Sequence, residues 1–343
     1  MRIAVDVMGG DHAPAAILTG SLDAVALLAP TDQLVLVGDE KVIRQGLGTR
    51  GLEKDPRIEI EATTEIIGMN EEPVRALREK QNSSIVRWAH LGSKKKSADR
   101  TCDAIISAGN TGACVAGAQM YMRRLPGVHR PGIAVTIPTF YGPIVVCDVG
   151  ANPEPRPTHL HQYAHMASIY AEKIIGIPNP KVAVLSIGSE ESKGNSLVKE
   201  TNKLMRGDAG LNYVGFVEGR ELFEGKCNVA VTEGFTGNVV LKLAEGLSMG
   251  LIKTITREVA IADMELAKRL DPVVKSIFRK HDYHEYGGAP LMGANGICIK
   301  CHGSSESRTI VNAVKAAMKY VNLRLNDAIV EALASSAVPE SAA

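Results

Sequence analysis

Aromatic side chains are scarce in this chain of 343 residues: they make up 4% of it, with a single Trp. Proteins that bind single-stranded nucleic acid stack the bases on aromatic rings inside a basic groove. The net charge here is only +1, from 39 Lys and Arg against 38 Asp and Glu. We therefore expect no nucleic acid partner.

Long apolar runs are also missing, and a helix that spans a membrane needs about 20 consecutive apolar residues. The segment Met1–Asp6 lacks the basic and then apolar parts of a secretory signal. We expect a cytoplasmic protein, in which the six cysteines stay as thiols. With 45% hydrophobic and 22% charged residues, the composition is that of an ordinary globular protein.

Three motifs of catalytic or metal sites are present only in weak form. Cys298–His302 matches a haem attachment pattern or a set of zinc ligands, but an export signal and a second ligand pair are missing. Gly246–Gly250 matches the serine hydrolase motif, but helical periodicity places Ser248 inside a helix. His161 and His165 lie four apart on a predicted helix, without an acidic residue placed beside them. We expect no metal and no cofactor.

The chain is instead rich in glycine loops that follow apolar strands. Ser107–Ala113 reads S-A-G-N-T-G-A, between a strand-like and a helix-like segment. Asn110 and Thr111 can cap the helix while the free N–H groups of its first turn face outward. These groups and the helix dipole attract anions. The stretch predicts a phosphate at Asn110, Thr111 and Gly112, or else an ordinary strand-to-helix turn.

Similar loops recur along the chain where strands end, which is where ligands bind in open α/β sheets. Lys193 adds a positive charge that could neutralise a phosphate, although a solvated loop lysine has the same pattern. For Asp6 and Asp11, turn and cap chemistry is the alternative. The candidate residues of these loops are Asp6, Gly9, Gly10, Asp11, Asp148, Asn152, Lys193, Gly194, Gly237 and Asn238.

Strands that alternate with helices predict a mostly parallel sheet covered on both faces, a three-layer α/β/α fold. We expect a single domain over 1–335 and a disordered tail of small residues over 336–343. Residues 249–280 have apolar positions at helical spacing with Lys and Arg between them, which predicts a helical hairpin. Its apolar side could pack in the core or a dimer, or lie on an anionic membrane surface.

Seven motifs, spread over about 300 residues, occur together in this chain. They are D-x-M-G-G-D at 6–11, S-A-G-N-T-G-A at 107–113, D-x-G-A-N at 148–152, I-G-x-E-x-x-K-G at 187–194, E-G-F-x-G-N at 233–238, E-Y-G-G-A-P-L-x-G at 285–293 and H-G-S-S at 302–305. In this order they resemble the phosphate acyltransferase family PlsX of bacterial phospholipid synthesis. This chain departs from the family's pattern in a longer loop at 94–100 and in the cysteines at 298 and 301. Both features lie outside the glycine motifs.

The resemblance implies an α/β/α fold shared with phosphotransacetylases and with isocitrate and isopropylmalate dehydrogenases. It implies a homodimer whose cleft is lined by these loops, and transfer of a long acyl chain from acyl carrier protein to inorganic phosphate. It further implies peripheral association with the inner face of the cell membrane, for which 249–280 is suited, and a downstream glycerol-3-phosphate acyltransferase as a partner.

A thioester is already activated, so phosphate can attack its carbonyl without a metal or a covalent nucleophile. Lys193, Asn152, Asn238 and His302 are the candidates for charge and for orienting phosphate or the oxyanion. The motif at 285–293 adds Glu285, Gly287 and Gly288 as substrate-binding candidates. Acyl carrier protein is acidic, so a basic entrance is expected; candidates for it are Arg78, Lys80, Arg123, Arg124 and Arg130.

Three other functions stay open. A phosphotransacetylase of the same fold would use acyl-CoA as the donor. A dehydrogenase of the isocitrate type would need a cluster of metal-binding aspartates and a cofactor loop, and the sequence shows neither. A membrane-surface scaffold without catalysis would bind lipid through 249–280, but it would leave the glycine loops without a role.

Overall fold

The computed structural model describes residues 1–94, 100–280 and 286–335 of the chain. Within these ranges, eleven strands form one sheet in the order β3-β2-β1-β4-β11-β10-β5-β6-β9-β7-β8. The strands are β1 (Arg2–Asp6), β2 (Gln33–Gly38), β3 (Ile58–Ala62), β4 (Ala104–Ser107), β5 (Gly132–Ile137), β6 (Ile144–Cys147), β7 (Val182–Ser186), β8 (Tyr213–Glu218), β9 (Val229–Val231), β10 (Ala289–Met292) and β11 (Ile297–Lys300).

The strands are connected mainly by helices. They are α1 (Ala15–Ala24), α2 (Glu40–Arg50), α3 (Pro73–Glu79), α4 (Ser84–Leu91), α5 (Thr111–Gly117), α6 (Pro157–Tyr170), α7 (Ser196–Arg206), α8 (Gly234–Ala262), α9 (Met264–Lys280), α10 (Ser307–Asn322) and α11 (Leu325–Ser335). Single π-helical turns, Ala118–Met122 and Ala171–Ile175, extend α5 and α6.

The core lies on both faces of the sheet, because the central strands β4, β11, β10, β5 and β6 are buried at every position. In β1, Ile3 and Val5 belong to one buried cluster, whereas Ala4 between them belongs to the other. Side chains alternate between the faces of a strand, so the two clusters lie on opposite sides. This confirms the expected sheet with helices packed on both faces.

Strand direction reverses across the middle of the sheet. β10 pairs antiparallel with β11 and β5, and β5 pairs antiparallel with β6, whereas the remaining pairs are parallel. The sequence predicts this hairpin of β5 and β6, because Pro138 and Gly142 lie at the tip between two apolar runs, and the pairing confirms it. Consequently β1 to β5 and β11 end at one edge of the sheet, and β6 to β10 end at the opposite edge.

Local patterns do not reveal two features of the last third of the chain. The glycine-dense segment before Gly293 contains a strand, β10, whose apolar run A-P-L-M is too short to show a periodicity. The sequence predicts one long helix from the 302–305 segment to about Leu333, and this prediction is wrong: two helices form, because Arg324 between them has φ of 50°, outside the helical range.

The helices α8 and α9 are mostly exposed along their length. On α8, apolar side chains recur every four residues at Phe235, Val239, Leu243, Leu247, Leu251 and Ile255, and each is at least 50% exposed. Pro272 lies inside α9. None of the helices in the described ranges is both long and apolar enough to cross a membrane.

Candidate functional site

The reversal of strand direction divides the predicted site residues into two groups. The first, here called the Asn110 group, comprises the loops that follow β1, β4 and β11, at residues 6–12, 107–113 and 300–305. The second, the Asn152 group, comprises the loops that follow β6, β7 and β9, at 148–152, 187–195 and 232–238. The sequence predicted one set of loops, whereas the strand directions place the two groups at opposite edges of the sheet.

Asn110 holds the central glycine loop in place. Its Oδ1 accepts a hydrogen bond of 3.0 Å from the N–H of Ala113 and thereby caps α5, as predicted. Its Nδ2 donates to the carbonyl oxygens of Gly68, Met69 and Glu71, at 3.0 to 3.3 Å. Since both ends of this buried amide are already bonded, the side chain positions the loop.

Asp6 lies fully buried beneath the same loop. Its Oδ2 accepts 2.7 Å from the Ser107 hydroxyl, and its Oδ1 accepts 3.1 Å from the N–H of Met8. Burial raises the pKa of this carboxyl, against hydrogen bonds and the positive charge of Lys300, which lower it. Lys300 ends β11 opposite Ser107 and is 8% exposed. Sequence reasoning missed Lys300, although a lysine that ends a buried-type strand was a visible signal.

Backbone approaches backbone closely in the Asn110 group. A Cβ placed on Gly9 would stand 2.5 Å from Asp6 Oδ2 and 2.7 Å from the backbone nitrogen of Gly109. The N–H of Asp11 donates 2.7 Å to the carbonyl of Gly303, which joins the first loop to the one after β11. These contacts require glycine and explain why the motifs contain it.

Several polar groups of the Asn110 group face solvent. Thr111 and Gly112, at the start of α5, are exposed, as are Asp11 and His302. The Nδ1 of His302 accepts 3.2 Å from the N–H of Ser304 and lies 2.8 Å from the Ser304 hydroxyl. This edge of the sheet therefore presents N–H donors where a ligand could approach.

In the Asn152 group, Asp148 and Asn152 are buried and serve as scaffold. Asp148 Oδ1 accepts from the N–H groups of Ile133, Gly150 and Ala151, and its Oδ2 accepts from that of Asn152, at 2.7 to 3.2 Å. The Asn152 amide donates to Pro131, to Tyr163 and to Asp148. Both carboxylate oxygens of Asp148 and the amide donor group of Asn152 are therefore already hydrogen-bonded within the protein.

The start of α8 packs directly on this scaffold. A Cβ on Gly237 would stand 1.9 Å from the carbonyl oxygen of Asp148, and one on Gly234 would stand 2.8 Å from that of Asn152. Asn238, one residue further along, is half-buried and lies over Gly150. In the described part of the chain, the side chain of Asn238 has no hydrogen-bond partner, so it is available to a ligand.

Lys193 lies in the loop after β7, exposed and with no partner for its ammonium among the residues that the structure describes. Gly194 follows it with φ of 88°, a left-handed conformation that favours glycine. The loop thus presents a free cation at the same edge of the sheet as Asn238.

A basic cluster surrounds His159 at the start of α6, next to the Asn152 group. Burial, and then the positive charges of Arg130, His129, Arg156 and Arg124, lower the pKa of His159 to about 4. No carboxylate pairs with these arginines within 1–94, 100–280 and 286–335. Arg124 and Arg130 were predicted for an acidic carrier, whereas Arg156 and His129 were missed.

The remaining predicted residues are either glycines packed tightly against backbone or residues outside the described ranges. Gly287 has φ of 78°, and its Cβ would stand 2.3 Å from the carbonyl of Asn312. Gly288 has φ of 91° and packs on the carbonyl of Lys300. Glu285, residues 95–99 and the tail 336–343 lie outside the described ranges.

The thiols and Ser248 are poorly placed for nucleophilic catalysis. All six cysteines are buried, and burial raises the pKa of each thiol, for example that of Cys114 to about 11. Ser248 lies inside α8, as predicted, and not at a strand-to-helix elbow. The structure therefore supports neither the thiols nor Ser248 as a nucleophile.

One expectation about metal ligands was wrong. His161 and His165 do have an acidic partner, because the Nε2 atoms of both lie 2.7 and 2.6 Å from Oδ2 of Asp208. Asp208 follows α7 and is 43 residues beyond His165, so no local pattern could pair them.

Comparison with known proteins shows similarity over nearly the whole chain. The profile of a family described as "Fatty acid synthesis protein" matches residues 1–327. A protein of Desulforamulus reducens named "Phosphate acyltransferase" is 43% identical over 334 residues, 97% of each chain. One of the same name from Heliobacterium modesticaldum is 42% identical over 341 residues, 99% of each chain.

Solved structures show the same fold at low sequence identity. A phosphotransacetylase from Streptococcus pyogenes superposes with a TM-score of 0.61 at 17% identity, over 96% of this chain and 94% of that one. A branched-chain phosphotransacylase from Enterococcus faecalis gives 0.55 at 12% identity, over 94% and 99%. The expected α/β fold shared with phosphotransacetylases is confirmed.

Proposed function

The chain belongs to the phosphate acyltransferase family, and we propose that it transfers a long-chain acyl group from acyl carrier protein to inorganic phosphate. The product is an acyl phosphate for phospholipid synthesis, consumed by a glycerol-3-phosphate acyltransferase. The observation that carries the choice of donor is the cluster of Arg124, Arg130 and Arg156, which no carboxylate of the described chain neutralises. An acidic carrier protein is complementary to such a surface, and this attraction steers its approach.

Phosphate attacks the thioester carbonyl directly in this proposal. The carrier's thiolate leaves with the electron pair of the broken C–S bond, and the new C–O bond makes the acyl phosphate. The buried, protonated cysteines support a route without an acyl-enzyme, because a thiolate is the nucleophilic form. The enzyme's contribution is to hold a dianion next to the carbonyl and to stabilise the tetrahedral oxyanion.

We assign phosphate to the exposed start of α5, where Thr111 and Gly112 present backbone N–H groups. Lys193 supplies charge, while Asn238 and His302 donate to phosphate or to the oxyanion. Asp6, Asn110, Asp148 and Asn152 position these groups, since their carboxylate oxygens or amide donors are already hydrogen-bonded within the protein.

Because Lys193 and Thr111 belong to different groups within one chain, we propose a homodimer in which the Asn152 group of one subunit meets the Asn110 group of the other. The exposed apolar stripe on α8 supports such a contact: its members are four residues apart, the spacing that forms a ridge between packed helices. The apolar side chains of α9, such as Val273 and Ile277, suit peripheral contact with the inner face of the cell membrane.

The proposal is tested by incubating the protein with long-chain acyl carrier protein, with and without phosphate, and trapping acyl phosphate as its hydroxamate. We expect hydroxamate only with phosphate, and a lower KM for the carrier-bound donor than for acyl-CoA. Arg130→Ala should raise the KM for acyl carrier protein, whereas Arg44→Ala, in an exposed pair on α2, should not. Product with acyl-CoA alone would favour a phosphotransacetylase, and lipid binding without product would favour a scaffold.

A further inference from the structure

His161, His165 and Asp208 form a cluster whose members are outside the loops assigned to acyl transfer. Both histidines are on α6, one helical turn apart, so their rings share a face of the helix. Their side chains are 2% and 6% exposed, and that of Asp208 is 15% exposed. In the part of the chain that the structure describes, it is the one group of three such side chains whose ligand atoms all lie within 4.8 Å of one another.

The orientation of Asp208 leaves one oxygen for the histidines. Its Oδ1 accepts 2.8 Å from the N–H of Gly210, and its Oδ2 is the atom that both Nε2 atoms approach. A ligating carboxylate is commonly fixed in this way by a second hydrogen bond. Arg206, the nearest cation in sequence, pairs with Glu191 instead.

We propose that His161, His165 and Asp208 bind a divalent transition-metal ion of the zinc type. Two imidazole nitrogens and one carboxylate oxygen form a ligand set that zinc accepts, with water completing a tetrahedron. Ligand atoms around tetrahedral zinc are about 3.3 Å apart, from bond lengths near 2.0 Å. The carboxylate oxygen therefore has to withdraw by about 0.6 Å from each nitrogen. The two nitrogens, now within 4.8 Å of each other, have to reach the same spacing.

The ion would fasten α6 to the loop that follows α7. It is a structural role, separate from acyl transfer, because the three ligands are distinct from Lys193, Thr111 and the other residues assigned to substrates. Binding to the folded chain alone raises its stability in proportion to the logarithm of metal concentration over Kd.

The test is titration of the full-length protein with Co²⁺, followed by the visible absorption of the bound ion, and then displacement by Zn²⁺. We expect one ion per chain and a Tm that rises with Zn²⁺ but not with Mg²⁺. His165→Gln and Asp208→Asn should each weaken binding by more than the roughly 10- to 100-fold that loss of an outer-shell partner costs. Both variants retain all six thiols, so any binding that depends on cysteine would persist in them.

His90→Gln, on α4, is the matched control and should bind the metal as the unaltered chain does. Asparagine has nearly the shape of aspartate, so the circular dichroism and the acyl transfer activity of Asp208→Asn should stay unchanged. The proposal is overturned if the unaltered protein binds no stoichiometric Co²⁺ or Zn²⁺, or if it binds them equally well with either ligand replaced. In that case the cluster is only a hydrogen-bonded link between α6 and the loop that follows α7.

Discussion

Gly237 at the start of α8 lies against the carbonyl oxygen of Asp148, so closely that an added Cβ would stand 1.9 Å from that oxygen. Gly237→Ala must push α8 away from the scaffold of the Asn152 group. We expect unfolding free energy to fall by about 2 kcal/mol, as for other overpacked sites, and acyl transfer to fall with it. Denaturant unfolding and steady-state kinetics measure both.

Gly246→Ala on the same helix is the control, since nothing lies within 4 Å of its added Cβ. It should stabilise the chain by up to about 1 kcal/mol through helix propensity. Equal effects of the two substitutions would contradict the packing described here.

Asn110→Ala should cost more stability than the loss of a helix cap alone. It removes the cap of α5 and also leaves the carbonyls of Gly68, Met69 and Glu71 without their donor. Asn195→Ala removes only the cap of α7 and should cost about 1 kcal/mol. We expect at least about 2 kcal/mol for Asn110→Ala. If Asn110→Ala and Asn195→Ala cost the same stability within experimental error, the three carbonyl contacts contribute nothing.

The burial of His159 predicts a pH dependence of stability. Its pKa falls from 6.5 to about 4 on folding, so between these values the unfolded chain binds a proton that the folded chain does not. Stability is therefore lost as pH falls from 6.5 towards 4. His159→Gln should flatten this slope in urea titrations, leaving the part that comes from His161, whose pKa burial also lowers.

Lys193→Ala should raise the KM for phosphate or lower kcat by well over about tenfold, because a charge that meets the dianion is lost. Lys203→Ala, in an exposed ion pair on α7, is the control and should change neither constant. Unchanged kinetics of Lys193→Ala would remove this lysine from the site.

Mixing subunits extends this test to the homodimer. Gly112→Ala would place a Cβ 2.5 Å from the Pro73 ring and disturb the start of α5. If Lys193 and Thr111 meet across the dimer, mixed dimers of the Lys193→Ala and Gly112→Ala chains contain one intact site and regain activity. If mixed dimers form and stay inactive, each site is made by a single chain.

Much of the fold follows from local patterns. Apolar runs in the sequence coincide with β1, β5 and β7. Asn110 was predicted as a helix cap because its neighbours already favour a turn followed by a helix. The antiparallel strand β10 between β11 and β5 was not foreseen, because such a short strand has no periodicity of its own. The hairpin of β5 and β6 and the antiparallel β10 together separate Asn110 from Asn152.

Individual side chains were harder to predict than loops. Asn110 and Asn152 were expected to contact substrate, and only the hydrogen bonds show that their amides are already bonded. Asp208 stayed unnoticed because its partners lie on another helix, and Lys300 because a charge at the end of a buried strand was taken for an ordinary boundary residue. Long-range contacts such as those of Asp208 have no local signal in one sequence.

The central claim is that phosphate attacks the carrier-bound thioester directly. It is tested most directly by following the exchange of the acyl group between carrier proteins in the absence of phosphate. The protein is incubated with long-chain acyl carrier protein and labelled free carrier protein, and transfer of the acyl group to the labelled carrier is followed. We predict no exchange until phosphate is added, at which point hydroxylamine traps acyl phosphate. Exchange in the absence of phosphate would require a covalent acyl-enzyme and would contradict the account.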